Sequence, residues 1–480
     1  MSVRQITLLV IAVVGLPLQA VGDTIHVPGD VATIAEGISQ ASTGDTVIVA
    51  CGEYFESGLV LGPGICLQGE TGDASCVTIN ARGYGRVLLC VNADSTTCVS
   101  GLTIAGGSVG NANGGGMLCS VSRLSLTDVA FVGNACNYNG GGLCCEGGSV
   151  VALSNVVFSL NSAGMGGGLC ASGLSLLSLR NVTFEQNSAA PGAHGRAGGM
   201  CCWGGVSPTL EDVGFIGNAS AYGGALYCYQ ESHPALVRCL FEGNAATSDG
   251  GAVWCDLLSC PTFESTIFRS NHAGYYGGGI HYTNSSPGFS EVVFDLNTAT
   301  MGGAVFCLGG ATGDFDRVVF SRNEAVHHGG AIYCDASYLS ISRTTIAANI
   351  ADYYGGGVYC RNGSTADIEN TIVGFNLGAP NEAAVSCGAA SCVTTSCSDI
   401  FGNAYGDWVG CLAGQDSTSG NFSGDPMFCD AAAGDFTVDE LSPCNGPNSP
   451  TCGHIGALDA GCAGVLVEER SWGAIKTMYR

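Results

Sequence analysis

Apolar and polar positions alternate along most of this chain in runs of only a few residues. The form apolar-x-x-(Val/Thr)-x-Phe recurs, as in Leu179-x-x-Val182-x-Phe184, Leu210-x-x-Val213-x-Phe215 and Phe315-x-x-Val318-x-Phe320. Such runs are too short for helices and have period 2, so they predict strands. Asparagine punctuates them. Asn134, Asn161, Asn187, Asn218, Asn244, Asn271, Asn297, Asn323, Asn349, Asn376 and Asn403 are spaced by 26 or 27 residues, with one gap of 31. The first eight close a Phe-x-x-Asn; in the last three Ile346, Val373 and Ile400 replace the Phe. A second motif keeps step: Gly-Gly-(Gly/Ala)-aliphatic-x-Cys, as in Gly250-Gly251-Ala252-Val253-Trp254-Cys255 and Gly355-Gly356-Gly357-Val358-Tyr359-Cys360.

A fixed period of this length indicates stacked units, each unable to bury its apolar face alone. Three short strands and glycine turns per unit predict an all-β fold, a parallel β-helix of about 12–13 coils of 26–27 residues. Equivalent residues then lie one above another. The phenylalanines are expected to stack in the core, and the asparagines to form an amide ladder at a turn. The glycine pairs suit a corner that needs positive φ or close backbone approach. All three ladders are read as scaffold.

The period also divides the chain. Residues 23–106 form the N-terminal cap and first coils, 107–403 the regular repeats, 404–462 a Cys-rich cap and 463–480 a tail read as a frayed end. Val31–Ala41 predicts a short amphipathic helix, with Ile34, Ile38 and Ala41 on one face, able to cover the open edge of the stack. Strands are expected at Thr46–Val49, Leu59–Leu61, Ile65–Leu67 and Val77–Ile79.

Residues 1–22 have the form of a secretory signal peptide: Arg4, the apolar Ile6–Leu16, and Ala20-Val21-Gly22 before Asp23. No later run is long enough to span a bilayer, so the mature protein is expected to be secreted or held at a cell surface. The formal charge of −25 argues against nucleic acid as a partner. The acidity could recruit Ca²⁺, although no Asp-rich loop indicates it, and no other cofactor or metal is expected.

The 27 cysteines agree with an oxidising compartment. Those after the glycine motif (Cys119, Cys145, Cys202, Cys228, Cys255, Cys307, Cys334 and Cys360) should point inward, as buried thiols or as bridges between coils. Eight more, from Cys387 to Cys462, suggest a disulfide-stapled cap; none has zinc spacing.

Phe-x-x-Asn alternating with Gly-Gly-Ala-(Ile/Val/Leu) over about Asn113–Asn403 resembles the repeat pair of chlamydial polymorphic outer membrane proteins. The segment Ile25-His26-Val27-Pro28-Gly29-Asp30, with Gly44–Val49 and Gly52-Glu53-Tyr54, is similar to the start of pectin-lyase-like right-handed β-helices. The resemblance implies a right-handed helix and a secreted or outer-membrane surface protein acting as an adhesin. The sequence has no segment sized for an autotransporter barrel, so insertion by that route is not expected. The pectin-lyase-like family also implies an alternative, a polysaccharide lyase or glycoside hydrolase. Gly52-Glu53-Tyr54-Phe55-Glu56 has the Gly-x-Tyr-x-Glu form of pectinesterases, but the rest of that set is missing. Asp249, Asp256, Asp314, Asp316, Asp335 and Asp352 form no recognisable constellation and are read as solvated. Gly106-Gly107-Ser108-Val109-Gly110 matches a nucleophile elbow by letter, yet no helix pattern follows it. No catalytic residue is assigned.

A binding face is the sharper expectation. Between the inward aliphatic and the inward Cys of the glycine motif stands one residue that should point outward. In six consecutive coils it is Tyr227, Trp254, His281, Phe306, Tyr333 and Tyr359. An exposed aromatic strip of this kind suits the apolar faces of a glycan, or a protein partner. The competing reading is that stacked rings only stabilise neighbouring strands.

Overall fold

The computed structural model describes residues 22–189, 195–378, 383–449 and 451–462. The expected signal peptide, save Gly22, and the tail lie outside them. The described chain is a parallel β-solenoid. Three sheets of 24, 13 and 10 strands run along its length, each strand paired in parallel with its equivalent in the next coil. The largest sheet carries the phenylalanines (the Phe sheet). The 13-stranded sheet follows the glycine motif (the Gly sheet), and the smallest follows each asparagine (the short sheet).

The ladders are as expected. Phe131, Phe158, Phe184, Phe215, Phe241, Phe268, Phe294 and Phe320 stack with ring centroids 4.6–5.0 Å apart. Ile346, Val373 and Ile400 continue the column in register. Phe263, Phe289 and Phe315 make a second stack beside it. Between the ends of the ladder, from Asn161 to Asn376, each asparagine accepts from the amide and side chain of the one before it and donates to the one after it. Asn271, for example, donates to Asn297 Oδ1 at 2.9 Å and to the Phe241 carbonyl at 2.9 Å.

The glycine motif separates into three different demands. The first glycine is left-handed: Gly250 has φ +64°. The second lies against the next coil, where a Cβ on Gly251 would come 2.1 Å from the Gly278 carbonyl oxygen. The third tolerates Ala, as at Ala252. Gly251→Ala is therefore expected to lower stability by about 2 kcal/mol or more, because a backbone neighbour cannot move aside cheaply. Ala252→Gly should cost under about 1 kcal/mol. Urea unfolding of the two variants checks the contrast.

One α-helix, Ile34–Gln40, stands among the described residues and buries Ile34 and Ile38 against the first coils. Thr33 and Glu36 form a capping box at its start. Glu56 adds a second cap, accepting from the amides of Ile34 at 2.8 Å and Ala35 at 2.9 Å. Glu53 accepts from Asn80 at 2.9 Å. The Gly-x-Tyr-x-Glu segment thus has structural work at the first coil.

Five disulfides close the two ends: Cys51–Cys76 and Cys66–Cys98 near the start, Cys387–Cys411, Cys397–Cys452 and Cys429–Cys462 near the finish. The stapled cap is as expected. The inward cysteines of the repeats remain buried free thiols, in register up the Gly sheet. At one step Tyr282 takes the place of Cys, and Gly313 leaves room for its hydroxyl.

The chain does not end where the stack does. After the last coils it turns back along the outside of the Phe sheet. Phe436 packs on Val319 and Ala347, and Val438 and Ile455 pack on Ile372. Ala457 donates to Thr345 Oγ1 at 3.1 Å, and Gly456 to the Asn370 carbonyl at 2.8 Å. Arg322 binds buried Asp295 at 2.7 Å and reaches the backbone at Gly434.

Candidate functional site

Tyr227, Trp254, His281, Phe306, Tyr333 and Tyr359 do form one in-register column on the outer side of the Gly sheet. Their neighbours Leu226, Cys228, Val253 and Cys255 belong to the main core, whereas Tyr227 belongs to a separate cluster with Cys144, Cys170 and Cys201. The outward direction is therefore right. The expected exposure is not. Tyr227, His281, Phe306 and Tyr333 are only 1–5 % exposed, and Trp254 and Tyr359 are half-buried.

The reason is a re-entrant corner. The residue just before each glycine turn sits on the short-sheet side and projects over the Gly sheet. This second column includes Arg196, Tyr222, Asp249, Tyr276, Met301, His328 and Tyr354, aligned by the amide-to-carbonyl bonds of the turns that follow. Tyr222, Tyr276 and His328 each cover an outward residue of the next coil, and Tyr354 stacks on Tyr359 of its own coil. Tyr222 lies 5.8 Å from Trp254, Tyr276 stacks on Phe306 at 4.5 Å, and His328 stacks on Tyr359 at 5.1 Å. The Arg196 guanidinium stands 5.5 Å over Tyr227. Two aromatic columns thus interlock into a seam along the corner.

The seam has a wet margin. Tyr275, Tyr353 and Tyr354 are 58, 53 and 41 % exposed. Towards the C-terminal end it opens into a groove of about 620 Å³ lined by Tyr354, Tyr359, Ser386, Gly388, Tyr405 and Val409. A hollow of similar size, about 670 Å³, lies by the capping helix, but its walls are Ala, Ser, Thr, Gly, Pro and aliphatic residues without a titratable group.

Midway along, the seam is interrupted by polar groups. Asp249 Oδ2 is 3.8 Å from His281 Nδ1, and the His281 ring is turned 86° to Trp254 and 69° to Phe306. Burial pushes Asp249 up to about 6 and His281 down to about 3. At neutral pH the imidazole is uncharged, so the contact is not an ion pair. Asp249, read from sequence as one more solvated acid, is instead packed into this corner. Its partner is 32 positions away. Only the register of the two motifs brings them together: one stands before a glycine pair, the other after the next. Among the described residues no three His, Cys, Asp or Glu converge as metal ligands would. The Ser108–Val109 strand belongs to the short sheet and leads into no helix.

Comparison with known proteins gives a family signal within the repeats. Residues 238–256 and 317–335 match the Chlamydia polymorphic membrane protein repeat. The matched segments run from the Phe-x-x-Asn strand through the glycine motif. Among solved structures, the PL6 family alginate lyase AlyGC is similar over 79 % of this chain and 76 % of its own, at 9 % identity and a TM-score of 0.33. No inference about chemistry follows from a similarity at that level. No curated protein matches the chain significantly.

Proposed function

We propose that this chain is a secreted or cell-surface β-solenoid that works by binding, as an adhesin-like module, and that the aromatic corner is its contact face for a glycan or protein partner. The carrying observation is the margin of the seam. Tyr275, Tyr353 and Tyr354 stay exposed along the seam, and Tyr354 with the half-buried Tyr359 lines a groove of about 620 Å³. Ordered rings at a solvent boundary are apt for stacking on sugars. The polymorphic membrane protein repeats support a surface location. The buried members of the column, Tyr333 above all, hold the seam rigid and do not touch the partner.

A glycan array combined with reducing-sugar and unsaturated-product assays on acidic polysaccharides tests the reading. Binding without turnover is the expected result; turnover would favour the polysaccharide-cleaving alternative. The double variant Tyr353→Ala/Tyr354→Ala should weaken binding about tenfold or more with only a small drop in melting temperature, since both side chains are exposed and lose only ring contacts at the margin. Unaltered binding in that variant would refute the corner as the contact face.

A further inference from the structure

Seventeen cysteines are unpaired, and twelve of them fall into four trios, each with one residue on three successive coils of the Gly sheet. Three trios lie on its inner side: Cys90, Cys119 and Cys145; Cys202, Cys228 and Cys255; Cys307, Cys334 and Cys360. The fourth, Cys144, Cys170 and Cys201, lies on the outer side. Ala171 separates the first inner trio from the second, and Tyr282 the second from the third. Cys387 stands in register with Cys360 but is already bonded to Cys411. The middle thiols of Cys119, Cys170, Cys228 and Cys334 each touch both partners in their trio. Elsewhere the chain bridges a pair of this same geometry. Cys66 and Cys98 are in register on adjacent coils, with Cα atoms 4.5 Å apart, and form a disulfide.

We propose that in an oxidising compartment each trio forms one disulfide between adjacent coils, always through its middle cysteine, and keeps one thiol. This rests on the reading of the chain as exported. Strands stack about 4.8 Å apart, inside the Cα range of about 4.4–6.8 Å that a disulfide spans. The two outer cysteines of a trio are two coils apart, about 9.6 Å, and lie beyond that reach. Any bond must therefore use the middle residue, and one thiol of the three is left over. The oxidant is itself a disulfide, carried by a small molecule or an oxidase. One trio thiolate attacks a sulfur of that disulfide and releases the first thiol. A neighbouring thiolate then attacks the mixed disulfide and releases the second. The two cysteines lose two electrons, and the oxidant leaves as two thiols. Neighbouring thiols, and then burial, push Cys119, Cys170 and Cys202 well above the usual thiol range, so the closed stack holds few thiolates. The bonds form while the coils are still closing. Each then ties two coils covalently in the middle of the stack, where the five disulfides at the ends do not reach.

The test counts free thiols in the full chain, recovered as monomer from an oxidising bacterial periplasm, denatured in guanidinium and titrated with a chromogenic disulfide. One bond per trio consumes eight of the seventeen thiols and leaves nine. Cys228→Ser leaves its trio no pair within reach and should raise the count by one. Cys202→Ser commits Cys228 to Cys255 and should lower it by one. Non-reducing peptide maps should show Cys228 linked to Cys202 or to Cys255, and no link between Cys202 and Cys255; the wild-type map decides the matter where a variant folds poorly. Seventeen thiols in wild type, or a count lowered by one in both variants, would overturn the proposal. The periplasm supplies the oxidant whatever the native location of the chain, so either of those results would count against the trios and leave the proposed surface location standing.

Discussion

Replacing Asn271 by alanine should lower the unfolding free energy by about 4 kcal/mol, the largest loss expected for any side chain of its size here. Asn271 is wholly buried at the sixth rung of the ladder. Its oxygen accepts from the Asn244 amide at 3.0 Å and the Asn244 side chain at 2.9 Å; its nitrogen donates to Asn297 and to the Phe241 carbonyl. Alanine removes all four bonds and strands a backbone N–H, a backbone carbonyl and an amide N–H in the core. Each lost bond is worth about 1 kcal/mol, and the groups left buried add to that. Asn271→Asp should be no better, since a carboxylate cannot donate to the Phe241 carbonyl. Because each coil is held chiefly by its neighbours, the damage should spread to adjacent coils. Hydrogen exchange should show lost protection centred on Asn244–Asn297, beside a lower urea midpoint. Protection lost evenly along the chain, or a midpoint unchanged, would contradict the ladder's role.

The second large effect depends on pH. Asp399 stands on the outward side of the Phe sheet, in register above Ile372, where the returning chain covers it. It is wholly buried. It accepts from the Gly424 amide at 2.9 Å and from the Cys444 thiol at 3.2 Å. Burial pushes its carboxyl up to about 7, helped by Asp407 and Asp425 and opposed by the bonds from Gly424 and Cys444. An unfolded Asp titrates near about 3.9. Between those values the folded state holds a proton that the unfolded state has released. Stability from this group is therefore present at low pH, falls as pH rises from about 4 to 7, and stays low above that. Three pKa units correspond to about 4 kcal/mol. Asp399→Asn keeps the acceptor for Gly424 and has no charge to bury. It should melt above wild type at pH 8 and lose that advantage towards pH 4. Parallel melting curves for the two proteins across that range would refute the assignment.

The repeat was legible because a solenoid repeats its physics. Every repeat must fill the same core position (with Phe in eight of them), satisfy an Asn and clear a corner, so three residue types recur at one spacing, and their register predicted direction correctly. Exposure is a different property. It depends on what projects from the adjoining sheet, and the tyrosines and histidines before the glycine pairs were visible in sequence without their lean over the corner being so. The same limit hid Asp249 and His281, whose pairing needs two columns to converge. The bend in the middle of the Phe sheet left still less trace. Asp128, Arg238, Glu291, Arg317 and Arg343 all adopt φ of 47–56° there, and only an aligned stack forces that conformation on residues that otherwise avoid it. The returning C-terminal segment has no period at all, so its path over the Phe sheet could not be read.

That returning segment alters how the molecule can come apart. Coils bound only to their neighbours can be shed singly from a free end, like coins slid off a pile. Here one strap touches Val293, Val319, Thr345 and Ile372, residues of four successive coils, and is itself tied to the uppermost turns by Cys397–Cys452. Lifting the top coil therefore drags on a band crossing the four beneath it. Shedding by single steps becomes a concerted release, and a protease or a pulling force at that end meets a hasp where a bare stack would offer an open edge.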